Sequence, residues 1–188
     1  MIAYKVGDIV LLNEGFNLRN INTWLNPFVK FFVNLWNLGE YINYSHCGIV
    51  AMYEGQLYFW ESVKDGFLPT FPAYQRFENI QNDILILRPK ADLSIKDIDK
   101  INKYCIELYD RDYDYEGVIL LQLVYTLTNR LFWLGSNKKD YSKKLYCVES
   151  VCYIYNKLSD KYFINWAKCS QKDLYLSNHF QHYKHTEL

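Results

Sequence analysis

His46-Cys47-Gly48-Ile49-Val50-Ala51-Met52-Tyr53-Glu54-Gly55-Gln56-Leu57-Tyr58-Phe59-Trp60-Glu61-Ser62-Val63 holds two runs of strand-forming residues on either side of one short break. Glu54-Gly55 or Gly55-Gln56 suits a tight turn, so residues 47–53 and 57–63 read as the arms of a β-hairpin. A turn at Glu54-Gly55 sets Glu61 opposite Gly48. Directly opposed residues share a face, and so do residues two apart on one strand. His46 and Glu61 then become diagonal neighbours on a single face. Moving the turn to Gly55-Gln56 keeps that parity, whereas a three-residue loop breaks it.

Working outward, residues 8–12 form a strand introduced by Gly7-Asp8, and residues 83–88 form another, closed by Pro89. Residues 13–22 read as loop. So do residues 64–79, an extended loop carrying Pro69 and Pro72. Residues 23–38 are dense in large apolar side chains and read as a short helix between a Thr23 cap and Gly39. Ser94 caps a helix running to about Tyr109, with Ile95, Ile98, Ile101, Cys105 and Leu108 at helical spacing. A turn at Tyr113-Asp114-Tyr115 leads to an apolar helix over 117–133, and a charged loop covers 136–144. Residues 147–158 form a third helix. The tail from 170 is polar, with one helical turn over 170–176. Strands segregated from helices give the α+β class: one domain over 1–188, an antiparallel sheet and helices packed on one side. The expected core is Ile9, Val10, Ile49, Val50, Phe59, Ile84, Leu85, Ile86, Ile98, Ile101, Val118, Leu121, Val151 and Ile154.

Composition narrows the class. Of 188 residues, 50% are hydrophobic and 18% aromatic, enough for a sizeable core and against intrinsic disorder. Lys plus Arg equals Asp plus Glu at 21 each, so the chain lacks the basic footprint of a dedicated nucleic-acid binder. Lys138, Lys139, Lys143 and Lys144 form a small patch that reads as a solvated loop. Five cysteines, Cys47, Cys105, Cys147, Cys152 and Cys169, are odd in number and irregular in spacing, which points to a reducing compartment. The start of the chain does not resemble a signal peptide, and no apolar run reaches membrane-spanning length, so a cytoplasmic location is expected.

Three places carry chemistry. His46 opens a strand. Glu61 is a carboxylate inside an apolar strand. Cys147 begins a helix, where the positive end of the dipole favours thiolate. A thiolate beside an imidazole whose other nitrogen meets a carboxylate is the general arrangement of an acyl-transfer nucleophile. Glu149, in the first turn of the same helix, suits the dipole and reads as structural. Each residue also has an ordinary role: a hydrogen-bonded strand histidine, a buried thiol acting as a small hydrophobe, an edge carboxylate facing water. Cys47, next to His46, is expected on the opposite face. Cys105 and Cys152 are expected as inert core, and Cys169 has no assignment. His179, His182 and His185 recur at every third residue, which raises a zinc reading, but in a polar terminal segment without partner ligands this reading is set aside.

Gly7-Asp8-Ile9-Val10, Ser45-His46-Cys47-Gly48-Ile49-Val50, Trp60-Glu61-Ser62 and Tyr146-Cys147-Val148-Glu149-Ser150-Val151 together resemble the circularly permuted NlpC/p60 papain-like group, most closely its YiiX/YebB-like branch. Tyr113-Asp114-Tyr115-Glu116-Gly117 resembles the group's tyrosine-rich turn, and Cys169-Ser170-Gln171-Lys172-Asp173-Leu174 its closing turn without the usual proline. The resemblance spans residues 4–176. It implies a permuted papain-like fold with a barrel-like sheet and the nucleophile at a helix N-terminus. It also implies Cys147 as nucleophile, His46 as base and Glu61 as the orienting residue. Val148 stands where a small polar residue is common.

The expected activity is that of a cysteine hydrolase or acyltransferase acting on an amide or ester, with a thioester intermediate and neither metal nor organic cofactor. The backbone amide of Val148, and the hydroxyl of Tyr44, are candidate oxyanion donors. The substrate is a peptide, a cell-wall fragment or a lipid. The aromatic stretch 24–36, from Trp24 to Trp36, favours an apolar ligand or a peripheral membrane contact, against the plainer alternative of a segment folded onto the sheet. The rival class is a non-catalytic ligand- or lipid-binding module using the same cleft.

Overall fold

A computed structural model describes residues 3–12, 44, 46–73, 84–114, 144–159, 161–163, 166 and 169–184. The helices expected over 23–38 and 117–133, the loop over 13–22, Val118, Leu121, His185 and the stretch from Trp24 to Trp36 lie outside these residues. Among the described residues six strands form one antiparallel sheet: β1 (Ile9–Leu12), β2 (His46–Tyr53), β3 (Gln56–Val63), β4 (Gly66–Pro72), β5 (Ile84–Pro89) and β6 (Phe180–Lys184). Three helices accompany them: α1 (Ile95–Glu107), α2 (Cys147–Leu158) and α3 (Gln171–Leu176). The strand order is β4-β3-β2-β1-β5-β6. In that order β4 and β6 are the two ends, and among the described residues no pairing closes the sheet into a barrel.

Glu54 and Gly55 both have positive φ, 49° and 79°, which gives a two-residue hairpin turn whose twist matches its arms. Gly48 accordingly faces Glu61, and Ile49 faces Trp60. Gly48 has no room for a side chain, because a Cβ there would lie 2.5 Å from the Phe59 ring and 2.4 Å from the Trp60 carbonyl.

Two strands were not expected. Residues 66–72 pair with β3 instead of looping, and residues 180–184 of the polar tail pair with β5. Both are terminal strands of the sheet. An edge strand tolerates Pro69 and Pro72, whose missing N–H groups would break a central ladder. β6 presents mostly polar side chains outward and buries Phe180.

The described helices pack on one side of the sheet, and both of its faces are buried. Ile9, Leu11, Ile49 and Trp60 pack towards α1 and α2, while Val10, Leu12, Val50, Phe59, Ile84 and Ile86 form a second cluster. The continuous apolar runs Ile9-Val10-Leu11-Leu12 and Ile84-Leu85-Ile86-Leu87 are what two-sided burial requires. Ile98, expected in the core, is only half-buried; Ile101 and Cys105 take that place on α1.

Gly7-Asp8 anchors the sheet. Gly7 has φ 91°, donates its N–H to the Val50 carbonyl and accepts a hydrogen bond from the Tyr155 hydroxyl of α2. Asp8 is fully buried and takes two hydrogen bonds from the Arg88 guanidinium, at 2.8 and 2.7 Å, and a third from the Lys5 N–H. No helix among the described residues is long and apolar enough to cross a membrane.

Candidate functional site

α2 begins at Cys147, with Tyr146 as its N-cap. The Glu149 carboxylate, fully buried, accepts the Tyr146 N–H at 3.5 Å and so closes the first turn from within. The role read for Glu149 is thus that of a capping group. Ser150 donates to the Tyr146 carbonyl at 3.0 Å. Its hydroxyl lies 2.5 Å from that of Ser62 on β3, which therefore donates to it. This strut fixes the start of α2 against the strand that carries Glu61. Sequence reasoning did not find the pair, although both serines sit inside the quoted motifs.

The His46 Nε2 lies 2.6 Å from the Glu61 Oε2, the diagonal contact that the hairpin register allows. Glu61 is 2% exposed, and its other oxygen, Oε1, accepts the Thr70 hydroxyl at 2.5 Å. Burial alone would lower the titration point of His46. Hydrogen bonds to Cys147 and Glu61, together with their charges, instead raise it well above the ordinary histidine range. With Nε2 engaged by Glu61, Nδ1 is the nitrogen left for the Cys147 sulfur.

The Cys147 thiol is held well below the ordinary thiol range. The largest cause is a hydrogen bond from the Cys47 thiol. Burial opposes it, and the His46 imidazole and the Cys47 backbone amide add to it. Both shifts favour the thiolate–imidazolium pair. Cys147 is 5% exposed, so a charge pair formed there would lie in a largely dry place where its attraction is strong.

Cys47 projects into the helix-facing cluster, away from the face that His46 shares with Glu61, as expected, and it is nonetheless close to the site. Cys147 stands at the start of β2 and reaches both residues 46 and 47, so the Cys47 thiol is part of the constellation. Burial and the neighbouring Cys147 push the titration of Cys47 well up, which leaves it a neutral donor.

The remaining named residues fall around this group. The Val148 side chain is fully buried in the helix-facing core. Its backbone N–H, at the second helical position, is among the first four that an α-helix leaves without an intrahelical partner. Tyr44 packs half-buried against the same core cluster. Cys105 is buried, and burial raises its titration. Burial does the same for Cys152, which also hydrogen-bonds Cys169. The Cys169 carbonyl accepts the Tyr146 hydroxyl at 3.1 Å. None of the five cysteines forms a disulfide. His179 and His182 lie at the end of the chain by β6, a strand, where a spacing of three does not gather side chains on one face.

No protein-family model and no curated protein matches the chain. Among solved structures, the fold is similar to that described as metalloprotein yiiX from Escherichia coli O157:H7, DUF1105. The match covers 95% of this chain and 96% of that one, with 16% identity and a TM-score of 0.51. The chain therefore has a YiiX-like fold.

Proposed function

We propose that this YiiX-like chain is a cysteine hydrolase or acyltransferase of the permuted papain-like kind, acting on an amide or ester bond. The supporting observation is a His46 imidazole that Glu61 holds at 2.6 Å, together with a Cys147 thiol at a helix start whose titration His46 and Cys47 lower. In the proposed reaction the Cys147 thiolate attacks the substrate carbonyl. The tetrahedral oxyanion is met by backbone N–H groups at the start of α2, including that of Val148. The His46 imidazolium gives its proton to the leaving group, and a thioester forms on Cys147. His46 then takes a proton from water or another acceptor, which attacks the thioester and frees the enzyme. Base preceding nucleophile in the chain, by about a hundred residues, fits a permuted order.

The structural neighbour is described as a metalloprotein. Among the described residues no group of three or more His, Cys, Asp and Glu is placed to hold a metal ion, and the His46 Nε2 is taken by Glu61. No step of the proposed reaction runs through a metal.

The near burial of Cys147 gives the rival reading, a binding module on the same cleft, its one supporting observation. Iodoacetamide labelling followed by mass spectrometry separates the two. An enzyme of the proposed kind labels at Cys147 first, faster than glutathione at pH 7, and His46→Ala slows it. Labelling of Cys147 no faster than glutathione, and indifferent to His46→Ala, overturns the hydrolase reading.

A further inference from the structure

The pairing between β3 and β4 slips by one residue beside the site. Phe59 faces Phe71, but the next residue, Trp60, faces Pro69, so Thr70 has no opposite number on β3. Thr70 is the extra residue of a β-bulge. A bulge bends its strand and turns the extra side chain out of the ordinary alternation, which is one way a sheet aims a group. Here the aim is definite. The Thr70 hydroxyl lies 2.5 Å from the Glu61 Oε1 and 3.3 Å from the Phe59 carbonyl. A hydroxyl has one hydrogen, and the nearer, charged oxygen takes it. The two Glu61 oxygens are then divided, Oε1 to Thr70 and Oε2 to His46.

We infer that Thr70 is a positioning residue of the proposed site, holding the Glu61 carboxylate in the orientation that faces His46. The inference rests on the thiol–imidazole reading and extends it outward by one link, from Cys147 through His46 and Glu61 to the bulge of an edge strand. A carboxylate that loses one of its hydrogen-bond donors is held less firmly about its terminal torsion, and a buried one takes up a proton more readily. Either change weakens the support for imidazolium. The methyl group of Thr70 has no part in this, so serine should serve and valine should not.

The test uses Thr70→Val, Thr70→Ala and Thr70→Ser in the full chain, with two readouts. The first is the pH profile of Cys147 alkylation by iodoacetamide. The second is the titration of the His46 ring protons by NMR, which does not depend on thiol reactivity. Thr70→Val and Thr70→Ala should move the Cys147 acid limb up and the His46 titration down by about one pH unit each, about a tenfold change in the proton equilibrium. Thr70→Ser should follow the wild type. Thr70→Ala answers the question if valine disturbs the bulge. Unchanged profiles in both Val and Ala variants, or a Ser variant as impaired as Ala, overturn the inference. Failure of the underlying reading has a different signature: wild-type Cys147 alkylates like an ordinary thiol and His46→Ala changes nothing, while the NMR titration still reports on Thr70.

Discussion

The His46 Nε2 and the Glu61 Oε2 meet at 2.6 Å across two strands, at diagonal positions of a hairpin whose register a single two-residue turn determines. The contact joins a charge to an imidazole, and its role in the proposed chemistry is to orient and to stabilise imidazolium. Glu61→Gln keeps the shape and loses the charge. Turnover of an acyl substrate should fall about 10²-fold, whereas Cys147→Ala should remove it altogether. A Glu61→Gln variant as dead as Cys147→Ala, measured on the same ester or amide, would give the carboxylate a direct chemical part that this account denies it.

The pH dependence follows from two shifts of opposite sense. Cys147 titrates well below the ordinary thiol range, so thiolate is present from low pH upward. His46 titrates well above the ordinary histidine range, so imidazolium persists to high pH. The reactive pair exists between these limits, and kcat/KM should trace a bell whose alkaline limb follows His46. His46→Ala should abolish that limb. A profile rising once, near the ordinary thiol range of about 8.5, would contradict the ion pair.

Cys47 supplies the largest single push on Cys147. Cys47→Ala removes the thiol donor and leaves the backbone amide, so the effect should be partial. The acid limb of Cys147 alkylation should rise, with a rate at pH 7 reduced roughly 3–10-fold. Cys47→Ser, which retains a donor, should recover part of the loss. An alanine variant with a wild-type profile would reduce Cys47 to a packing residue.

Asp8 is buried without exposure and held by the Arg88 fork, which ties β1 to β5 at the centre of the sheet. Arg88→Met leaves that carboxylate uncompensated and should cost about 3–5 kcal/mol in urea unfolding. Adding Asp8→Asn to it should restore part of the stability. A single variant within about 1 kcal/mol of wild type would refute the anchoring role.

Part of this architecture is written in local patterns. Glu54-Gly55 forces a turn with two positive φ angles, and that alone aligns Glu61 with Gly48 and brings it diagonal to His46. Ser94 caps α1, with the Asp97 carboxylate returning the bond, as its sequence suggests. The start of α2 at Cys147 was legible in the same way. β4 was not, because prolines argue against a strand unless the strand is known to lie at an edge, and edge position is a property of the whole sheet. β6 was hidden by polar side chains for the same reason. Thr70, Cys47 and the Ser62–Ser150 strut were missed because a bulge and the docking of a helix place them, and neither leaves a periodic signal. The two-sided burial of β1 and β5 was visible in their unbroken apolar runs, and neighbours of opposite faces such as Ile9 and Val10 are both buried as expected.

The strand and helix order has a temporal side. A chain emerges from the ribosome from its N-terminus, and a local hairpin forms in microseconds once both arms are free. His46 and Glu61 therefore meet while the codon for Cys147 is still far from translation. The sulfur arrives late, and it stays an ordinary thiol until α2 docks against β2 and β3 and brings it to His46 and Cys47. A nascent or truncated chain ending before α2 thus carries a finished cradle and no reactive group. On the proposed reading the site is complete only once α2 has docked, and alkylation of stalled chains of increasing length should register that moment as a step in thiol reactivity.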